Sequence, residues 1–197
     1  MQNEHVIEVR EGGRRRIDRV LGSDYLRGSG ELDLAALRGR RDEAAQEETD
    51  LSYLRRLLHA RIDIVKAEQH RRASGERATV LDQLATILAD NALAPSSGQA
   101  RYQPLEPSRA GVYRRQAEAL AGNSDLSDVT SLRDDELDSA LGTYREQEQS
   151  VSARRHEVQH VVDTFNAEIA DRYARGTASV DELIGEQQAT GDETPDG

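Results

Sequence analysis

The stretch EETDLSYLRRLLHARIDIV, residues 47–65, decides the fold because the chain carries its pattern twice. The second copy, QEQSVSARRHEVQHVVDTF, occupies residues 147–165. Both copies share the spacing E-x3-S-x2-R-x3-(H/Q)-x3-D, with His at the fourth position of the first copy and Gln in the second. The ten residues of the pattern are Glu48, Ser52, Arg55, His59, Asp63, Glu148, Ser152, Arg155, Gln159 and Asp163.

Helical geometry places each set of five residues in one polar row. At about 100° per residue, the five side chains fall within about 80° of one another and extend over about 22 Å of helix. An apolar stripe runs beside each row, with the spacing of a helix that buries one seam. The stripes are Leu51, Leu54, Leu58, Ile62 and Val65 in the first repeat, and Leu137, Leu141, Tyr144, Val151, Val158, Val162, Phe165 and Ile169 in the second.

Two helices with such seams are expected to pair within one chain. We therefore predict an all-α fold: a long two-helix coiled coil with short accessory helices and disordered tails. The long connection between the repeats permits a parallel or an antiparallel pair. An antiparallel pair would relate the two polar rows by a pseudo-two-fold axis. That arrangement suits a ligand that is itself two-fold symmetric, or a pair of ligands. The connection between the repeats favours an intramolecular hairpin over a dimer, because it raises the local concentration of the two seams.

The composition fits long helices better than a large globular core. Of the 197 residues, 36% are hydrophobic and 4% are aromatic, and the mean hydropathy is −0.76. The net charge of −11 opposes general binding to DNA, because phosphates would be repelled. The chain has no cysteine for disulfides or thiol chemistry. Neither a signal peptide nor an apolar run of membrane-spanning length is seen, so we expect a cytoplasmic protein that makes no membrane contact.

Glycine and proline positions divide the chain into four parts. In the hairpin, long helices are expected near residues 32–73 and 131–175, with a shorter helix near 78–91 and a loop region between them. The four predicted parts are a flexible tail at 1–13, a basic short helix and join at 14–30, the hairpin at 31–176, and a short helix with an acidic tail at 177–197.

The basic segment has two interpretations. Arg14, Arg15, Arg16 and Arg19 surround a few apolar residues. They form either a solvated arm or a short amphipathic helix that docks on an acidic partner through Ile17, Val20 and Leu21.

The sequence HEVQH at residues 156–160 matches the zinc-protease signature H-E-x-x-H, with both histidines on one helical face. No strands are predicted to form a substrate cleft. Asp163 and Asn166 stand where the extended form of the motif requires Gly and His. We therefore interpret His156 and His160 as surface residues and predict neither catalytic nor metal-ligating residues.

The residue types in the polar rows suit a guanine nucleotide. Arg can donate two hydrogen bonds to O6 and N7 of guanine or to a phosphate. A carboxylate can accept from the N–H groups on the opposite edge, and Ser or Gln can bond sugars, phosphates or bases. On a single helix, such charges would simply form a solvated face. Their recurrence in the same order beside the same seam favours a ligand, and the doubling favours a dimeric guanine nucleotide.

The doubled pattern resembles that of the RsiG family, anti-sigma factors of filamentous actinobacteria that bind cyclic di-GMP. The family carries E-x3-S-x2-R-x3-Q-x3-D on both helices of an antiparallel coiled coil. The second copy here matches at all five positions. The first has His59 in place of Gln, and the charge of an imidazole varies with pH.

The resemblance implies a long antiparallel two-helix coiled coil, in a protein that is regulatory and not an enzyme. The ten pattern residues would bind an intercalated pair of cyclic di-GMP molecules, with no metal. The ligand-bound monomer would sequester the sporulation sigma factor WhiG in a 1:1 complex, away from RNA polymerase, and hold back late sporulation genes. The ligand would bridge the two proteins, so that ligand and sigma factor bind with positive coupling.

A structural coiled-coil scaffold without a small ligand is the alternative. It explains the seams equally well, but not the matched polar rows. Under that hypothesis, replacing Arg55 and Arg155 by Ala would leave function intact. A zinc hydrolase at His156 and His160 is a third hypothesis, which the absence of stoichiometric zinc from purified protein would exclude.

Overall fold

The computed structural model describes residues 7–75, 105–113 and 126–176, and these parts are helical, without a β-strand. A short helix α1 (Arg16–Val20) precedes the two long helices α2 (Leu34–Ser74) and α3 (Asp134–Ala174). Short 3-10 helices at Ser29–Glu31 and Leu126–Ser131 lead into α2 and α3. Residues 110–113 form a helical turn. The predicted helix near 78–91 and the predicted short helix and tail at 177–197 lie outside the described residues.

The helices α2 and α3 pack against each other in antiparallel directions. At one end of the pair, the Arg38 guanidinium donates a hydrogen bond to the Tyr173 hydroxyl. At the other end, Arg72 Nη1 donates to Asp134 Oδ1 over 2.6 Å. The predicted all-α fold, with a long antiparallel two-helix coiled coil and short accessory helices, is confirmed.

The apolar seam forms most of the core. All five predicted seam residues of α2 are at most 5% exposed, and seven of the eight on α3 are at most 9% exposed. The prediction is wrong at Val162, which is only half-buried, whereas Val161 is 5% exposed. Val161 borders a pocket together with Val20 and Leu21, so the N-terminal segment covers this side of α3 and shifts the buried stripe by one residue.

Local signals in the sequence set the helix ends. The Asp33 carboxylate accepts a hydrogen bond from the Ala36 backbone N–H over 2.7 Å and so caps the start of α2. The helix ends at Gly75, whose φ of 68° is in the left-handed region that glycine adopts without strain.

The start of α3 differs from the predicted one near residue 131. The Glu136 carboxylate accepts a hydrogen bond from the Arg133 backbone N–H over 2.8 Å, which fixes Arg133 as the N-cap. Ser131 instead belongs to the preceding 3-10 helix. The capping residue therefore lies two residues after the predicted helix start near residue 131.

In its last turn, each long helix carries an arginine that binds the 3-10 helix preceding the other long helix. Arg72, at the end of α2, donates to the Thr130 carbonyl over 3.2 Å. Arg172, at the end of α3, donates to the Gly30 carbonyl over 3.1 Å. A glutamate four residues earlier orients each guanidinium, with Nε–Oε1 distances of 2.7 and 3.1 Å from Glu68 and Glu168 respectively. The repeat thus extends beyond the polar row to both ends of the hairpin.

The N-terminal segment folds back onto the hairpin. Ile7 is 2% exposed, and Ile17 and Val20 of α1 are 3% and 1% exposed. Residues 7–13 therefore differ from the flexible tail that the sequence suggested, because Ile7 joins the core. Residues 1–6 lie outside the described part of the chain.

The basic segment is a docked helix and not a solvated arm. Arg16 Nη1 donates to Asp50 Oδ2 of α2 over 2.9 Å, and the Arg19 guanidinium bonds the Glu43 carboxylate. The acidic partner in the second interpretation is therefore the chain's own helix α2. Ion pairs with α2 and the burial of Ile17 and Val20 hold α1 in place.

Candidate functional site

The antiparallel register brings the centres of the two polar rows together. Arg155 Nη1 of α3 donates to Glu48 Oε1 of α2 over 3.0 Å. In the opposite direction, Arg55 Nε of α2 lies 3.2 Å from Glu148 Oε1 and 3.0 Å from Ser152 Oγ. Each arginine of the pattern thus crosses to the glutamate of the other copy.

Within each helix, the serine of the pattern supports the glutamate. Ser52 Oγ donates to Glu48 Oε1, and Ser152 Oγ donates to Glu148 Oε1, in both cases over 2.7 Å. Each of these bonds in one copy of the pattern has its counterpart in the other copy, and so does each arginine contact across the helix pair. The rows are therefore related by a pseudo-two-fold axis that passes between Ser52 and Ser152.

The outer members of the rows lie farther from this axis. Gln159 Nε2 donates to Asp163 Oδ1 within α3 over 3.0 Å. His59 Nε2 lies 3.1 Å from Glu148 Oε1 across the helix pair. Asp63 and Asp163 lie toward opposite ends of the combined row, about 30 Å apart along the helix axes at the usual rise per residue. The two aspartates are therefore far apart, whereas the six central residues lie close together, with His59 beside them. These six residues form the inner row: Glu48, Ser52, Arg55, Glu148, Ser152 and Arg155.

The inner row is charged and partly shielded from water. The side chains of Glu148 and Glu48 are 16% and 22% exposed, and those of Arg155 and Arg55 are 32% and 41% exposed. Burial alone would raise the pKa of Glu148. The hydrogen bond from Ser152, the His59 charge and Arg55 together outweigh burial, and the net effect lowers that pKa. Arg155 Nε is buried and makes no hydrogen bond, so a donor remains for a ligand.

On α2, the N-terminal segment contacts a side of the helix that faces away from the row, whereas on α3 it borders a pocket that Gln159 and Asp163 of the row also line. It contacts α2 through Glu43 and Asp50. On a helix these residues lie about 140° and 160° from Glu48. A ligand can therefore approach the α2 part of the row while α1 stays docked.

Two buried carboxylates on α2 were not identified from the sequence. Asp50, which is 0% exposed, accepts hydrogen bonds from Arg16, from Ser108 Oγ over 2.6 Å and from the Arg109 backbone N–H over 3.3 Å. Glu47 is also 0% exposed and makes no hydrogen bond, and its burial raises its pKa despite Arg109 and Arg16 nearby. The sequence did contain a signal for the burial of Glu47, because this residue lies four positions before Leu51 and so continues the apolar stripe.

The two histidines of the H-E-x-x-H match lie exposed on α3. They line a pocket of about 590 Å³ between α3 and the N-terminal segment, together with Leu26, Gln159 and other residues. In residues 7–75, 105–113 and 126–176, no three side chains of the His, Cys, Asp or Glu type converge as metal ligands.

Among the helices that the structure describes, none is both long and apolar enough to cross a lipid bilayer.

The fold and the site define a class of protein: a helical hairpin with an internally duplicated polar site across its two helices. The RsiG-like family model matches residues 23–88 and 123–187, once for each repeat and over more than half of the chain. The chain belongs to the RsiG-like family. Comparison with curated proteins gives no match.

Family membership indicates the general role. It suggests an anti-sigma factor, which is a regulatory and not a catalytic protein, and it implies a sigma factor as the partner. The two matched segments also agree with the internal repeat, since they begin 100 residues apart, at 23 and at 123.

Proposed function

We propose that this chain is a cyclic di-GMP-controlled anti-sigma factor and that the duplicated polar row is its nucleotide site. The observation that carries the proposal is the reciprocal crossing of Arg55 and Arg155 to the glutamates of the opposite copy. Cyclic di-GMP has the same two-fold symmetry as this arrangement. The proposed ligand residues are Glu48, Ser52, Arg55, His59, Asp63, Glu148, Ser152, Arg155, Gln159 and Asp163.

Binding would exchange protein contacts for ligand contacts. Each guanidinium can turn from its cross-helix carboxylate to O6 and N7 of a guanine. The freed glutamate can then accept from the guanine N–H groups, so no charged side chain is left without a partner. Each copy supplies one arginine and one glutamate, and we propose that each copy contacts one of two cyclic di-GMP molecules per chain.

The ligand would control access to the sigma factor. With nucleotide bound, the chain would sequester a WhiG-type sigma factor as a 1:1 complex and keep it from RNA polymerase. Bound nucleotide would lie on the exposed side of the row, where it can contact both proteins at once. A fall in cyclic di-GMP would release the sigma factor and permit late sporulation genes to be transcribed. These steps place the protein in the cytoplasm and require neither membrane nor direct DNA contact.

A ligand-free scaffold is the second candidate, and one observation favours it. The inner row already satisfies most of its own charges by hydrogen bonds between the helices. Such bonds could serve only to fix the register of the coiled coil. The scaffold and the nucleotide site differ in what happens when cyclic di-GMP is added.

Titration calorimetry of cyclic di-GMP into the purified chain tests the proposal. We expect the double variant Arg55→Ala, Arg155→Ala to bind at least about 30-fold more weakly, because each bidentate contact of arginine with guanine contributes about 1–3 kcal/mol. The matched control is Arg56→Ala, Arg154→Ala, which removes the same charge from neighbouring positions outside the row. Binding that is equal in the native chain and both variants, or absent from all three, would contradict the nucleotide site.

A further inference from the structure

The two halves of the row are not equivalent, because His59 occupies the position that Gln159 occupies in the second repeat. His59 Nε2 is buried and lies 3.1 Å from Glu148 Oε1, yet it makes no hydrogen bond. Gln159 does not contact Glu48 in the same way and instead donates to Asp163 within α3. The pseudo-two-fold symmetry therefore breaks at this one position.

The two half-sites also differ in how fully their glutamates are engaged. In the Glu148 half-site (Arg55, His59, Glu148 and Ser152), one carboxylate oxygen is approached by three side chains. In the Glu48 half-site (Glu48, Ser52, Arg155 and Gln159), the corresponding oxygen is approached by two, from Ser52 and Arg155. Arg155 Nε also remains without a partner there. A guanine therefore meets more competition at Glu148 than at Glu48.

Histidine side chains change charge between about pH 5 and pH 8. The charges around His59 are Glu148 on α3 and, one turn away on α2, Arg55 and Asp63. Arg145, on α3 one turn before Glu148, is exposed. Glu148 lies within ion-pair distance of the imidazole. A proton on His59 would therefore attach a cation to the carboxylate that the guanine must use.

We propose that His59 makes the Glu148 half-site pH-dependent, so that the chain binds its two nucleotides unequally and loses affinity at that half-site as pH falls. This inference rests on the proposed nucleotide site. It assigns to His59 the control of one half of that site, through competition between a protonated imidazole and the guanine for Glu148.

The test compares cyclic di-GMP titrations at about pH 8 and about pH 6, which bracket histidine protonation. For the native chain and for each variant, we compare the affinity for cyclic di-GMP at the higher pH with the affinity of the same chain at the lower pH. We expect the native affinity of the weaker site to fall roughly fivefold toward the lower pH, the size of a partly exposed ion pair. His59→Gln should remove this fall. His156→Gln, which changes an exposed histidine outside the row, is the matched control and should retain it.

The outcomes separate this inference from the proposal beneath it. If the native chain and His59→Gln bind with the same pH dependence, the role of His59 is overturned and the nucleotide site stands. A fall that disappears in His156→Gln instead would also overturn it. If none of these chains binds cyclic di-GMP at either pH, the nucleotide site itself fails, and the inference fails with it.

Discussion

At the scale of single residues, Asp18 is a buried carboxylate that shapes the N-terminal segment. It is 3% exposed and accepts hydrogen bonds from the Arg10 backbone N–H over 2.9 Å and from Arg15 Nε over 2.8 Å. The side-chain bond from Arg15 is the main reason that the pKa of Asp18 is lowered from 3.8 to about 2. The ionised form is therefore strongly preferred in the folded chain.

A carboxyl group with a lowered folded-state pKa stabilises the fold above its unfolded pKa and loses this contribution as pH falls through the folded value. We expect the unfolding free energy of Asp18→Asn at neutral pH to be about 1–2 kcal/mol lower than that of the native chain. Between about pH 4 and pH 2, the unfolding free energy of the variant should fall less than that of the native chain. Urea unfolding at several pH values measures both quantities. Asp24→Asn, at an exposed carboxylate, should behave like the native chain. Native pH dependence in the Asp18 variant would refute this role.

The membership of the row could be predicted from the sequence, but its contacts could not. The helix period alone decides which side chains share a face, so the spacing of Glu48, Ser52 and Arg55 is enough to group them. Arg155 donates through Nη1 and leaves Nε without a hydrogen bond. These contacts depend on the register between the two helices. Register follows from the packing of the whole seam, which residue spacing within one helix does not specify.

At the scale of elements, the docking of α1 depends on a buried acidic position of α2. Asp50 accepts from Arg16, and also from Ser108 and the Arg109 backbone N–H of residues 105–113. One carboxylate therefore joins three separate segments. Loss of Arg16 would leave this buried charge with only part of its hydrogen bonds, which is costly.

We expect Arg16→Ala to increase amide hydrogen exchange in residues 16–22 and 105–113 by about tenfold, while the centres of α2 and α3 stay protected. The factor corresponds to the loss of about 1–2 kcal/mol from one hydrogen-bonded charged pair. Arg14→Ala, at an exposed arginine of the same cluster, is the control and should exchange like the native chain. Unchanged protection of α1 in the Arg16 variant would show that apolar packing alone holds it.

The location of α1 could not be predicted from its own sequence. Its arginines and apolar residues fit a solvated arm as well as a docked helix, and the deciding partner, Asp50, lies 34 residues from Arg16. The contact between Ser108 and Asp50 spans 58 residues. By contrast, the long helices carry their signal locally, in the seam and in caps such as Asp33. Elements defined by local pattern were predicted, and those defined by distant charges were not.

At the scale of the whole molecule, the hairpin is two-fold pseudosymmetric in its row and at its ends. Arg72 and Arg172 each bind the 3-10 helix that leads into the opposite long helix. The N-terminal segment and residues 105–113 depart from this symmetry. On α2 they contact the side away from Glu48, and on α3 the N-terminal segment borders the pocket that Gln159 and Asp163 line. The molecule therefore has one side stabilised by its own accessory segments and another side on which the charged row is accessible.

On the accessible side of the hairpin, we propose that nucleotide bound to the row controls the binding of the sigma factor. If the ligand contacts both proteins, linkage requires that each strengthens the binding of the other by the same factor. A coupling of this kind typically changes affinity by about 5-fold to 150-fold. A scaffold that lacks a ligand site would show no coupling.

The most direct test measures the affinity of the purified chain for a WhiG-type sigma factor with and without saturating cyclic di-GMP. We predict that the ligand tightens the complex by at least about fivefold, and that the Arg55→Ala, Arg155→Ala variant loses this effect while the Arg56→Ala, Arg154→Ala control keeps it. Equal affinity of the native chain for the sigma factor with and without cyclic di-GMP would contradict the account.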